Sequence, residues 1–342
     1  MIDLYSDTRT QPSHGMRRFM AEAEVGDEQA DLDPTVTALC ERVADLLGKE
    51  KAVYLPSGTM CNEIAYRVHC RPGDEIILDR TAHGIIAEAG GPAALALAML
   101  YPLDGVRGQF GPAQVQSAIR SGSRYEPRSR LISIEQTSNW GGGSIWPLDT
   151  IRAIGDVAHA NRLSMHMDGA RLMNAVIGSG IAASDYAEPF DSLWLDFSKG
   201  LGAPVGAVLA GSADFIHEAW RLKQQMGGAM RQAGIIAAAC LYALDHHVDR
   251  LGQDHENAKR LASGLAALDG ISLDPSLIET NIVFFDLEPH TPSAPSIASQ
   301  LLDKGVRIGA MGERRMRAVT HLDIDRDAID FAIKAMADVL RT

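Results

Sequence analysis

LSMHMDGAR, residues 163–171, and DSLWLDFSKGLGAPVGAVLAG, residues 191–211, decide the fold. Each opens on a short apolar run that predicts a β-strand. Each run then passes into a glycine-bearing turn that holds one charged residue, Arg171 in the first and Lys199 in the second. Working outward, the same rhythm recurs. KAVYLP (51–56) predicts a strand followed by a helix over SGTMCNEIAYRVHC. DEIILD (74–79) predicts a strand followed by helix or loop over AHGIIAEAGGPAAL. RLISIEQ (130–136) predicts a strand followed by the helix LDTIRAIGDVAHANR (148–162). Strands alternating with helices of 10–15 residues predict an α/β fold, a mostly parallel central sheet with helices on both faces.

The flanks complete the outline. In DPTVTALCERVADLLG, Asp33 suits an N-cap, Pro34 the first helical position and Gly48 the C-terminal stop. Val36, Leu39, Cys40, Val43, Leu46 and Leu47 recur at intervals of three and four, so one face of this helix is apolar. A long helical region is expected from Ala213 to Leu268. Beyond about residue 247 the texture changes to NIVFFDLE (281–288), SIASQLLDKG (296–305), VRIGAMGERRMRAVTHLDI (306–324) and a final helix from Asp327 to Leu340. This predicts a large domain over 1–247 and a small α+β C-terminal domain over 248–342, with PHTPSAPS (289–296) a surface loop.

Composition narrows the function. Acidic residues outnumber basic ones by 44 to 32, a net charge of −12, which argues against a nucleic-acid partner because phosphate binding needs a basic face. RLKQQMGGAMRQ (221–232) is a local basic patch at most. No apolar run approaches the roughly 18 residues of a membrane span, so no membrane partner is expected. MIDLYSDTRT does not open like a signal peptide, so a cytoplasmic location is expected. Cys40, Cys61, Cys70 and Cys240 form no CxxC pair and no zinc spacing. They read as buried thiols, and no metal site is expected.

Four features carry chemistry, and each follows a strand. Ser57, Gly58 and Thr59 open a helix, where backbone N–H groups and hydroxyls suit a phosphate. Asp168 ends a strand, where a carboxylate can bond a ring nitrogen; Arg171 adds a cation on the next turn. Lys199 sits between an apolar strand and a Gly-rich turn, a setting in which lysines form Schiff bases. His83 offers a flat imidazole for stacking or for proton transfer near neutral pH. Taken singly, an N-cap, a surface lysine or a structural histidine is an equal reading of each. Ligands bind outside the carboxyl ends of strands in such sheets. Gathered at one sheet edge, the four describe a pyridoxal 5'-phosphate site.

LYSDTRTQP (4–12), EVGDE (24–28), DPTV (33–36), YLPSGTMCN (54–62), TAHGIIAEAGG (81–91), RLISIEQT (130–137), HMDGARLMNA (166–175), DFSKGLGAPVGAVLAG (196–211), MGGAMRQAG (226–234) and MRAVTHLDI (316–324) together resemble the L-threonine aldolases, among the fold-type I pyridoxal-phosphate enzymes. The resemblance implies a fold like that of aspartate aminotransferase and retro-aldol cleavage of an L-β-hydroxy-α-amino acid to glycine and an aldehyde. It implies that Lys199 links the cofactor, Asp168 bonds its ring nitrogen, His83 stacks on its ring, and Ser57, Gly58 and Thr59 hold its phosphate. Ser6, Arg171 and Arg317 would grip the substrate carboxylate, and Arg231 with Lys223 would reach the site or a neighbouring subunit of a homotetramer. Where the family has Tyr-Gly-Glu before DPTV, this chain has Ala30, Asp31 and Leu32. Where it has Glu-Asn-Thr-His-Asn, this chain has Glu135, Gln136, Thr137, Ser138 and Asn139. A family histidine near the substrate hydroxyl aligns with Tyr125, and a phenol is a poor base at neutral pH. These departures keep open a related pyridoxal enzyme that acts as a β-eliminating lyase, racemase or transaminase.

Overall fold

The computed structural model describes residues 1–341. Thirteen strands are found among them: β1 Ile2–Asp3, β2 Lys51–Leu55, β3 Glu75–Asp79, β4 Met99–Leu103, β5 Ser129–Glu135, β6 Ser164–Asp168, β7 Ser192–Asp196, β8 Ala207–Gly211, β9 Ile271–Ser272, β10 Ile282–Leu287, β11 Val306–Arg307, β12 Gly309–Ala310 and β13 Arg315–Val319. Seven of them form the central sheet in the order β2-β8-β7-β6-β5-β3-β4. The pairs β7/β6, β6/β5, β5/β3 and β3/β4 are parallel, while β8 is antiparallel to both β2 and β7. β8 reverses because the chain returns from β7 through the short turn 197–206, closed by the Phe197 N–H on the Gly206 carbonyl (3.1 Å). β2 and β7, each antiparallel to β8, are therefore parallel to each other. The carboxyl ends of β2, β3, β5, β6 and β7 thus share one edge, and that edge is where the charged turns lie.

The helix Pro34–Leu47 forms as its sequence dictates. The Asp33 carboxylate accepts from the Val36 N–H (3.0 Å), Pro34 opens the first turn, and Gly48 closes it at φ +61°. Val36, Leu39, Val43 and Leu47 face the large core beneath the sheet. The expected unbroken helical region over 213–268 is instead three helices, Ala213–Gln225, Gly234–His246 and Leu251–Ala266. Gly227 at φ +74° breaks the first from the second. β4 was not expected: its segment reads as a general apolar stretch and holds Pro102, which is tolerated here because β4 lies at the sheet edge.

A second, antiparallel sheet runs β12-β13-β10-β9. Its core is separate, with Val283, Phe285, Met316 and Ala318 packed against Leu261, Ile329 and Met336. β1 pairs with β11, Ile2 opposite Val306, so the N-terminal residues lie against this second unit. Among the described residues no helix is long and apolar enough to cross a membrane. All four cysteines are free thiols, and burial pushes Cys40 and Cys70 up to about 12.

Candidate active site

The helix that starts after β2 provides the first part of the site. Ser57 caps it by accepting from the Met60 N–H (3.2 Å), so the N–H groups of Gly58 and Thr59 have no partner within the helix. Gly58 is required, because a Cβ there would overlap the Trp194 ring. One turn on, Asn62 is completely buried and uses every polar group. Its Nδ2 donates to Asp168 Oδ2 (2.9 Å) and Glu88 Oε1 (2.8 Å), while its Oδ1 accepts from Trp194 Nε1 (2.7 Å) and His166 Nε2 (3.2 Å).

That pattern fixes the tautomers behind it. Asn62 Oδ1 can only accept, so His166 carries its proton on Nε2 and its Nδ1 accepts from the Ser192 hydroxyl (2.8 Å). The Ser192 oxygen in turn accepts from His69 Nε2 (2.8 Å). Burial keeps both imidazoles neutral, His69 down at about 4 and His166 well below its ordinary range. The chain His69–Ser192–His166–Asn62 therefore points a fixed dipole at Asp168. Asp168, buried at the end of β6, also accepts from the Ala170 N–H (3.1 Å). Burial raises its carboxyl, opposed by His83 and the Asn62 amide.

His83 follows β3 and opens a four-residue helix. Its Nδ1 meets Glu88 Oε1 at 2.8 Å, and its backbone N–H donates to Glu135 Oε2 (2.8 Å). A ring nitrogen of His83 and carboxylate oxygens of Glu88 and Asp168 lie within 4.8 Å of one another. The Glu88 hydrogen bond raises the imidazole despite burial. Glu135, at the end of β5, is pushed up to about 7 by burial and by the Asp168 charge. Its other oxygen accepts from the Asn139 N–H (2.7 Å). Lys199, in the turn after β7, holds Nζ 2.6 Å from Asp196 Oδ2 and 5.7 Å from the Trp194 ring centroid.

A cationic group closes the edge. Arg171, 7 % exposed, binds Asp7 through Nε and Nη2, both at 2.7 Å. Arg317, on β13, donates from Nη1 to Asn139 Oδ1 (3.1 Å) and from Nη2 to the Tyr5 carbonyl (3.3 Å). Its Nε is buried with no hydrogen-bond partner among the described residues. Ser6, between Tyr5 and Asp7, accepts from the Thr8 N–H (3.2 Å). The order Arg317–Asn139–Glu135–His83 thus links the cationic group by hydrogen bonds to the backbone N–H of His83, not to its ring.

The structure brings Lys199, Asp168, His83, Ser57, Gly58, Thr59, Arg171, Ser6 and Arg317 to one edge. Two expectations, for Tyr125 and Lys223, need correction, and for Arg231 the neighbouring-subunit alternative is the one left. Tyr125 is 89 % exposed in the loop before β5, at the opposite end of that strand from Glu135. Seven residues at about 3.3 Å each separate the two ends, so Tyr125 does not reach the site of its own chain. Lys223 is fully buried against Glu28 and the Trp220 ring, so it is not free to meet a phosphate. Arg231 lies on a loop beside Met60, since a Cβ on Gly228 would overlap the Met60 thioether, but its guanidinium turns outward to Asp27 (2.9 Å) and is 62 % exposed. Sequence reading assigned no role to Asn62, Glu88, Glu135, Asp196 or Asp7. Each lies within five residues of a predicted site residue or ends a predicted strand, and that proximity was the available signal.

The donor set fits pyridoxal phosphate on its own chemistry: an amine at the cleft, a buried carboxylate with fixed orientation, a half-buried imidazole, and free N–H groups at a helix start. Comparison with known proteins agrees. The beta-eliminating lyase family matches residues 3–288. The low specificity L-threonine aldolase of Escherichia coli K12 is 37 % identical over 330 residues, covering 96 % of each chain. The low-specificity L-threonine aldolase 1 of Arabidopsis thaliana is 35 % identical over 348 residues, covering 100 % of this chain and 97 % of its own. This chain belongs to the threonine aldolase family. Within that family it is a pyridoxal-phosphate-dependent lyase. The fold of the Leishmania major threonine aldolase matches with a TM-score of 0.85 at 18 % identity, covering 99 % of this chain and 100 % of that one.

Proposed function

We propose that this chain cleaves L-β-hydroxy-α-amino acids, with L-threonine, L-allo-threonine or bulkier analogues as substrates, into glycine and an aldehyde. The observation that carries the reading is Arg317, whose buried Nε lacks a partner beside the Asp7-bound Arg171. A guanidinium left with a free donor at the cleft suits a substrate carboxylate. Lys199, Asp168, His83, and Ser57 with Gly58 and Thr59 would hold pyridoxal phosphate through its aldehyde carbon, ring nitrogen, ring face and phosphate. Bound there, the cofactor supplies the electron sink for breaking the Cα–Cβ bond. The chain's own part is orientation. Arg317, Arg171 and Ser6 fix the carboxylate, which sets the angle of the scissile bond. His83, with Nδ1 held by Glu88, keeps Nε2 for the proton of the β-hydroxyl.

Residues 1–247 then act as the cofactor domain and residues 248–342 as a small domain that contributes Arg317. A cytoplasmic homotetramer is the proposed assembly, in which a second copy would bring the exposed Tyr125 and Arg231 to a neighbouring cleft. Incubating the holoenzyme with a panel of L-threonine, L-allo-threonine and aryl β-hydroxy amino acids tests the reaction. Glycine plus an aldehyde is the expected outcome. Pyruvate or ammonia in their place would move the assignment to β-elimination, and no aldehyde from any member would overturn it. Lys199→Ala is expected to abolish turnover and to change the cofactor's absorption band.

A further inference from the structure

Glu63 follows Asn62 on the helix Gly58–His69 and is 1 % exposed. Neither of its carboxyl oxygens has a hydrogen-bond donor among the described residues, and Glu88 Oε2 lacks one as well. Glu88 Oε1 is occupied by His83 Nδ1 and Asn62 Nδ2, both at 2.8 Å. The loop Glu88–Gly91 lies directly over Glu63, so closely that a Cβ on Gly91 would overlap the carboxyl. No lysine or arginine among the described residues bonds either acid. Tyr66, on the same helix, is engaged with Ser133 of β5 (3.2 Å). β6 presents His166 and Asp168, both already bonded to Asn62. Two adjacent ionised carboxylates with three unpaired oxygens would be a costly arrangement in a buried site. One proton removes the conflict, because a Glu63 O–H donating to Glu88 Oε2 supplies the missing donor and halves the charge.

We propose that Glu63 and Glu88 share a single proton and that Glu63 is a positioning residue that acts through Glu88 on His83. This rests on the reading that His83 works in the cleft. With the proton in place the pair carries one negative charge. Glu88 Oε1 then orients the His83 Nδ1 side, and Nε2 can accept and release a proton. When the proton is lost at alkaline pH, Glu63 no longer donates to Glu88 Oε2, the two like charges push the carboxylates apart, and Glu88 Oε1 loses its hold on the His83 Nδ1 side. Burial and the Glu88 charge raise Glu63 to about 8, in line with a pair that keeps its proton at neutral pH.

Infrared difference spectra of the wild-type holoenzyme against Glu63→Gln, recorded from pH 5 to pH 10, test this directly. A protonated-carboxyl band is expected at neutral pH in the wild-type-minus-variant difference, fading as the pH rises through about 8, while the contribution of Glu135, present in both proteins, cancels. The variant's amide can still donate to Glu88, so Glu63→Gln is expected to keep its cofactor band and neutral-pH turnover while losing the alkaline limb of the pH–rate profile. Glu63→Leu supplies no donor and is expected to lower kcat by roughly tenfold with little change in KM. No carboxyl band in the wild-type-minus-variant difference at neutral pH would overturn the proposal. So would spectra that change on replacing sodium by choline, which would mean that a cation bridges the acids. If the substrate panel yields no aldehyde, the infrared result still stands or falls alone, so the two readings fail separately.

Discussion

Arg171 and Arg317 face the same cleft, yet their surroundings have opposite effects. Around Arg171, the Asp7 carboxylate outweighs burial and holds the guanidinium's charge firmly. Around Arg317, burial and the charge of Arg171 both act against the cation, and its partners are a carbonyl and an amide oxygen. The first arginine has a counter-charge within the chain, in Asp7. The second is a half-buried cation whose buried Nε has no partner among the described residues, and a substrate carboxylate would complete it. Two arginines that look alike in sequence therefore differ in whether the chain itself matches their charge.

Breaking the Asp7 side should have the largest effect. Asp7→Asn leaves Arg171 buried without a counter-charge, and a loss of about 3–5 kcal/mol in unfolding free energy is expected from denaturant titration. Arg317→Ala should spare stability but weaken amino-acid binding by about 2–3 kcal/mol, read as a rise in Kd with cofactor still bound. Equal losses of stability in both variants would erase the contrast.

Acid sharpens the comparison. Burial pushes the Asp7 carboxyl up, but the Arg171 charge and hydrogen bonds bring it down to about 2, below its ordinary 3.8. A depressed carboxyl contributes stability that is complete above about pH 4 and is lost as pH falls through 2. The expected loss is about 2 kcal/mol, and it should disappear in Asp7→Asn. The smallest effect belongs to Ser6→Ala. Losing its bond to the Thr8 N–H should cost about 1 kcal/mol, and any accompanying rise in KM would place Ser6 beside the substrate as well.

The sequence made the strand-and-helix rhythm legible because local signals sufficed. Asp33, Pro34 and Gly48 mark one helix within a few residues of its ends, and the runs before Asp168 and Lys199 mark two strands. The reversal of β8 was not legible, since a ten-residue glycine turn permits either direction. β4 escaped because Pro102 argues against a strand unless its edge position is known. Within the site, single residues after strands were readable, but their partners were not. Asn62 connects two strands and a loop, and nothing near it in sequence shows that Asp168, Glu88, Trp194 and His166 meet there. Tyr125 was misplaced because alignment gives a position along the chain, whereas the two ends of β5 lie on opposite sides of the sheet.

The N-terminal segment has a consequence for how the protein is made. Ile2 pairs with Val306, the Leu4 carbonyl accepts from the Val319 N–H (2.8 Å), and Asp7 accepts from Asn281 (3.1 Å) as well as from Arg171. Residues 2–7 are thus among the last to find their places, since their partners are synthesised some 300 residues later. Until then Asp7 and Arg171 have no complete setting, and the central sheet must assemble without them. The carboxylate-facing group therefore cannot be complete until Asn281 and Arg317 have been made, and a nascent chain released before them would carry most of the cofactor site without Arg317.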